Sequence, residues 1–193
     1  LQQDVSIEFI ADIITEINDT LIQKAIQISK ERLEKEQVPN PNLKWVWLSL
    51  GSEGRGEQLL RTDQDNAILY ENPKKEDIEI AKKYFLKLGQ YVVDILVESG
   101  FERCRGDIMA SNPKWNQSMS EWKASFSSWL TKPSAEAVMH GNIFFDFRSG
   151  YGDHNLADEL SEFIFKIIDE SESRFSMFFV KDTIDAPAPL SFF

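Results

Sequence analysis

Trp45-Val46-Trp47-Leu48-Ser49-Leu50-Gly51-Ser52-Glu53-Gly54-Arg55-Gly56, followed by Thr62-Asp63-Gln64-Asp65-Asn66-Ala67-Ile68-Leu69, is the stretch on which the reading of this chain turns. Its first six residues form a short apolar run of the kind that makes a buried strand, and the run ends in a glycine-rich turn. Glu57 to Arg61 reads as a short helix, and Asp65 to Tyr70 as a second strand closed by Asn72-Pro73. Ile80, Tyr84, Leu88, Tyr91 and Ile95 then recur at helical spacing across residues 76–99, with Gly100 as the stop. Strand, helix-bearing turn, strand and long helix together predict an α/β unit.

The glycines spell neither familiar phosphate loop. A Walker loop ends in Gly-Lys-Ser/Thr, whereas Gly56 is followed by Glu57, and the order Gly-x-x-Gly-x-Gly is not the dinucleotide fingerprint. Alone, such a turn is as often structural as phosphate-binding. The carboxylates add the specificity. Asp63 and Asp65 are two apart, so an extended segment points both to one face. Two ionised carboxylates side by side repel, and a cation between them removes the penalty. Hard divalent ions take oxygen ligands and share them with substrate phosphates. A pair of such ions, roughly 3.5–4 Å apart, can clamp both the attacking and the leaving oxygen at a phosphoryl centre.

Toward the N-terminus, Ile7, Ile10, Ile14, Ile17, Leu21 and Ile28 alternate spacings of three and four, which predicts a long amphipathic helix from Ser6 to about Lys35, before Pro39. Its apolar stripe packs on its own domain or forms a heptad-like seam for a partner, with Lys24 out of place in such a seam. Beyond the central unit, Phe101 to Arg105 is a strand candidate, and Glu121 to Leu130 a helix. Ile143-Phe144-Phe145-Asp146-Phe147-Arg148 is the next strand candidate, with Asp146 and Arg148 on the face opposite Ile143, Phe145 and Phe147. A last helical pattern runs from Leu156 through Ile168, and Asp185-Ala186-Pro187-Ala188-Pro189 reads as a linker or turn. The organisation expected is an N-terminal helix over 1–38, a core over 39–132, and a third-carboxylate strand with the start of a helical region over 133–193.

The 42% of hydrophobic residues, with 14 Phe and 5 Trp, are enough for a real core and argue against disorder. A formal net charge of -11 repels phosphate backbones, so a long nucleic-acid partner is not expected. A polyphosphate escorted by a divalent cation escapes that argument. The single cysteine, Cys104, cannot form an internal disulfide and fits the reducing cytoplasm. No apolar run has the length of a membrane span. Leu1 at the start and Ser191-Phe192-Phe193 at the end are expected of a piece cut from a larger protein.

Gly-Ser, ten residues, then Asp-x-Asp resembles the signature of the polymerase-beta nucleotidyltransferase superfamily. Gly51 to Glu57 with Thr62 to Asp65 is similar to the N-terminal domain of the PII-protein uridylyltransferases. It is closer still to bacterial nucleotidyltransferases fused to cyclic-nucleotide-binding and CBS domains. Cys104-Arg105-Gly106-Asp107-Ile108-Met109-Ala110-Ser111-Asn112-Pro113, and Phe145-Asp146-Phe147-Arg148 with Gly152-Asp153, extend the resemblance over roughly residues 45–170. It departs at Gln64 and Asn66, where the superfamily usually has apolar residues.

The resemblance implies an α/β (α+β) nucleotidyltransferase core with a mixed sheet and flanking helices. It implies transfer of a nucleoside monophosphate from a nucleoside triphosphate to an acceptor hydroxyl, the acceptor being by analogy a small signalling protein. Gly51, Ser52, Gly54 and Arg55 would hold the nucleotide phosphates, and Asp63 and Asp65 would hold Mg²⁺ or Mn²⁺. Asp146 would be the third carboxylate, with Asp107 as runner-up; a plain Asp146–Arg148 ion pair is the structural alternative. A nucleotide-sensing module without turnover, serving fused regulatory domains, is the second reading, and an interaction domain built on residues 6–35 the third. His140 and His154 sit in no metal or triad spacing and read as structural, as does Cys104. Trp115, Trp122 and Trp129, seven apart, read as a core stripe.

Overall fold

A computed structural model describes residues 6–58, 63–132 and 134–170. A mixed four-stranded sheet lies between two helical layers. Strand β1 (Trp45–Ser49) is central, antiparallel to β3 (Asn66–Tyr70) on one side and to β6 (Arg148–Gly152) on the other. Strand β5 (Asn116–Ser118) runs parallel to β3 at the far edge, giving the order β5-β3-β1-β6. Strands β2 (Asp63–Gln64) and β4 (Glu102–Arg103) form a separate two-stranded parallel ribbon.

The apolar run of β1 is continuous because both faces are covered. Val46, Leu48 and Leu50 with Ala67 and Leu69 face α4 (Met119–Thr131) and α6 (His154–Glu170), through Trp122, Phe126, Leu156, Leu160 and Ile164. Trp47 with Ile68 and Tyr70 faces α1 (Ile7–Lys35) and α3 (Ile78–Glu98), through Ile22, Ile26, Phe85, Leu88 and Val92. The two-residue period of the strands thus sorts their side chains into two cores. Trp122 also donates its indole N–H to the Ile68 carbonyl at 3.0 Å, fastening α4 across the sheet. Trp115 packs against Trp122 and Trp129, but from a 3-10 turn over Pro113–Trp115 that precedes β5 and α4, so the three do not line one helix.

Helix α1 starts on Ser6, whose hydroxyl accepts from the Phe9 N–H, and ends before Gln37, which has φ of 54°. Its buried face is Ile22, Ala25, Ile26, Ser29 and Leu33. Ile7, Ile10, Ile17, Leu21 and Ile28 of the expected stripe are exposed. The C-terminal half of α1 therefore packs on its own domain, by a face other than the regular seam.

One expectation is corrected. Ile143–Arg148 is not a strand: α5 spans Ala135–Phe144, capped by Ser134 accepting from the Ala137 N–H, and the strand comes at Arg148–Gly152. A single helical turn, α2 (Gly51–Gly54), stands at the glycine turn; Glu57 and Gln58 are not helical, and the rest of the helix expected at Glu57–Arg61 lies outside the described residues. The Asp185–Pro189 linker also lies outside them.

Candidate active site

The site is built where β1 ends. The Leu50 N–H donates to the Asp65 carbonyl at 3.0 Å, carrying the β1–β3 pairing one step beyond the strands and bringing the glycine turn against the acidic segment. Gly51 takes φ of +55°, and a Cβ there would sit 3.4 Å from Asp65 Oδ2. The single turn of α2 then closes through Gly54 N–H to Leu50 O and Arg55 N–H to Gly51 O.

Asp63 and Asp65 do share a face. Oxygens of the two and the Cys104 sulfur lie within 4.8 Å of one another. Asp63 is exposed, Asp65 half-buried. Burial pushes the Asp65 carboxyl up, and the Asp63 charge adds to this, while the Cys104 thiol bonding to it pulls the other way. The Cys104 thiol is itself pushed up to about 11, by burial first and then by Asp65, so at neutral pH it is an S–H donor and not a thiolate. Asp65 Oδ1 is buried with no hydrogen-bond partner. A carboxylate half-satisfied by one thiol beside a second carboxylate fits a hard cation, which would supply the missing partner. These three side chains are the group among the described residues able to hold a metal, and Cys104 is the member the sequence reading set aside.

Gln64 and Asn66, the departures from the apolar pattern, are both buried and both bonded. Asn66 Oδ1 accepts from the Ala110 N–H at 2.8 Å, and its amide donates to Gln64 Oε1 at 3.3 Å. Gln64 in turn donates to the Val93 carbonyl of α3 at 3.4 Å. Polar side chains anchor the strand where apolar packing was expected, and the bond to Ala110 helps hold the 104–110 loop against it.

Asp146 and Arg148 are not partners. Asp146, in the loop between α5 and β6, bonds Arg55 Nη1 at 2.9 Å, and Arg55 Nε reaches Glu57 at 2.8 Å. Asp146 thus meets the glycine turn through Arg55 and is not a member of the Asp63–Asp65–Cys104 group. Arg148 makes a two-pronged bond to Asp19 of α1, 2.8 Å on each arm. Asp107 stands in a turn with φ of 54°, its carboxylate taking the Asn112 amide at 2.9 Å. His140 is buried against Trp115 and Trp129, and His154 Nδ1 pairs with Ser149 Oγ at 2.6 Å. Glu53, 4% exposed within α2, was not foreseen. Its Oε1 has no hydrogen-bond partner. Burial raises its carboxyl to about 7, with Arg148 opposing and Asp19 and Asp65 adding.

Residues 1–136 match the model of a family described as "Putative nucleotidyltransferase DUF294". The chain belongs to this family. DUF294 membership carries nucleotidyl transfer as the general activity, and a nucleoside triphosphate as the general substrate. The matched span includes α1, the glycine turn and the Asp63–Asp65 pair, and stops short of Asp146. No curated protein and no solved structure matches the chain significantly. Among the described residues no helix is long and apolar enough to cross a membrane.

Proposed function

We propose that this DUF294 chain transfers a nucleoside monophosphate from a nucleoside triphosphate to an acceptor hydroxyl, releasing pyrophosphate, with Mg²⁺ (or Mn²⁺) at Asp63 and Asp65. The observation that carries the reading is the placement of Gly51 directly against the Asp65 carboxylate, whose inner oxygen has no partner. A cation held there would neutralise the triphosphate charge and polarise the phosphorus under attack. The side chain missing at Gly51 leaves room for phosphate oxygens beside that cation. Ser52 adds a hydroxyl donor, and Gly54 keeps the turn tight. Arg55, held charged by Glu57 and Asp146, supplies a cation to the phosphates once one of those contacts is exchanged. Asp146, drawn to the turn by Arg55, is the third carboxylate of this reading and orients the acceptor hydroxyl. A hydroxyl on a small signalling protein, in the cytoplasm, and fused regulatory domains around this unit complete it, by analogy with the PII uridylyltransferases that the glycine turn and the Asp63–Asp65 segment resemble.

A second reading, a nucleotide sensor with little or no turnover, is favoured by one observation: Arg55 is already engaged by two carboxylates. Calorimetry with ATP, UTP, GTP and CTP, with and without Mg²⁺, on the native chain and on Asp63→Ala/Asp65→Ala, tests the site. Mg²⁺-dependent binding lost in the double variant is expected. Binding of no triphosphate at millimolar concentration would overturn both readings. Binding without pyrophosphate release in the presence of candidate acceptors would select the sensor.

A further inference from the structure

Helix α1 reaches the candidate site through side chains on the flank of its N-terminal half. Asn18 donates its amide to Gln58 Oε1 at 2.9 Å, and Gln58 donates from Nε2 to the Asp63 carbonyl at 3.1 Å. Gln58 is 2% exposed, although it lies in a glycine-rich turn of a strongly acidic, polar segment. We propose that Asn18 and Gln58 are positioning residues, a two-step relay through which α1 sets the placement of the metal-binding Asp63. The inference rests on the reading of Asp63 and Asp65 as metal ligands.

The geometry explains why a relay is needed. Asp63 is exposed and begins β2, a two-residue strand paired only with the two residues of β4. So short a ladder holds its backbone weakly. The amide of Gln58 replaces the missing neighbour strand by bonding the Asp63 carbonyl directly. The relay also has a direction. A carbonyl oxygen can only accept, so the Gln58 NH₂ must face Asp63 and its oxygen must face α1. Asn18 presents an N–H there, which fixes that orientation. An acceptor in its place would turn the Gln58 amide round and set oxygen against oxygen at Asp63.

Polarity therefore separates this role from mere packing. Asn18→Asp is nearly the same shape and inverts the hydrogen bond, Asn18→Ala deletes it, and Thr20→Ala removes only an exposed bond to the Glu16 carbonyl of the same helix. Binding of Mn²⁺ alone is read from the spectrum of the free ion, alongside thermal unfolding and triphosphate binding without metal. Outer-shell partners of this kind typically change metal affinity by roughly 10- to 100-fold. Asn18→Asp is expected to weaken Mn²⁺ binding by about tenfold or more and Asn18→Ala by less, with metal-free triphosphate binding unmoved and Thr20→Ala like the native chain. Gln58→Glu, which places an acceptor against the Asp63 carbonyl, should match Asn18→Asp. If Asn18→Asp unfolds, the comparison of Asn18→Ala with Thr20→Ala decides. Native Mn²⁺ affinity in all Asn18 and Gln58 variants would overturn the relay and leave the metal site standing. A native chain that binds no Mn²⁺, or binds it equally after Asp63→Ala/Asp65→Ala, would overturn the metal site and the relay with it.

Discussion

Gly54 of α2 lies directly under the backbone carbonyl of Asp146, so close that a Cβ would overlap that oxygen and stand 3.0 Å from the Ser49 carbonyl as well. Two backbone segments more than ninety positions apart are thus in contact through the absence of one side chain. Gly54→Ala gains helix propensity of about 1 kcal/mol but meets two backbone oxygens that cannot rotate away. The clash should win, with a net loss of about 1–3 kcal/mol in urea unfolding. Gly106→Ala, whose Cβ would make only ordinary 3.6 Å contacts, is the near-neutral comparison.

Glu53 predicts a pH dependence. Its folded carboxyl titrates at about 7 against an unfolded value of 4.5, a raised value, so its stabilising contribution is full below 4.5 and is lost as pH rises through 7. The loss amounts to about 3 kcal/mol at most. Glu53→Gln should remove this slope, so that the stabilities of variant and native chain diverge steadily between pH 4.5 and 7.5 when unfolding is measured in urea.

Asp19 tunes the same group from α1. Removing its charge with Asp19→Asn takes away one of the influences raising Glu53 and frees Arg148 to serve Glu53 instead. The Glu53 titration should move to lower pH, visible by carboxyl-carbon NMR. Stability at pH 7 should fall by about 2 kcal/mol, between the values for exposed and buried pairs.

Asp65→Asn should trade binding for stability. The carboxyl is raised by burial and by the Asp63 charge, so burying its charged form costs stability in the metal-free chain. The neutral amide should raise the urea midpoint while Mg²⁺-dependent triphosphate binding falls by roughly tenfold or more. A lowered midpoint would contradict the account of Asp65 as an under-satisfied buried carboxylate.

What the sequence made legible was whatever depends on periodicity and on rigid spacing. The short apolar runs Trp45–Leu50 and Ala67–Tyr70 predicted strands, and the two-residue interval of Asp63 and Asp65 predicted their shared face. The misses have physical causes. Ile143–Arg148 alternates like a strand, but Ser134 caps a helix that runs through Phe144 and outweighs the local pattern. The true strand, Arg148–Gly152, has no apolar alternation. It pairs with β1 because Gly150 offers no side chain where Trp47 Cδ1 and Ser49 Oγ lie, at 3.4 and 3.3 Å from a would-be Cβ. Such a glycine in a polar strand is a signal of close backbone approach that the reading passed over. Glu53 and Gln58 were overlooked because polar residues in a glycine-rich turn are assumed to be solvated, whereas α1 and the Asp146 loop close over this one. The stripe on α1 was read correctly as helical, yet burial chose a different face, since α3 needs the Ile22–Leu33 side for packing.

The return of β6 to the far side of β1 bears on where this unit can be cut. The family match ends at residue 136, within α5, while the sheet is completed only by residues 148–152 and one core is roofed by Leu156, Leu160 and Ile164 of α6. A chain stopped at the edge of the match would leave β1 as a bare strand edge beside an uncovered apolar floor, the arrangement that templates intermolecular strand pairing. The smallest independently folding piece therefore extends at least to the end of α6, some way past the boundary that family resemblance alone would draw.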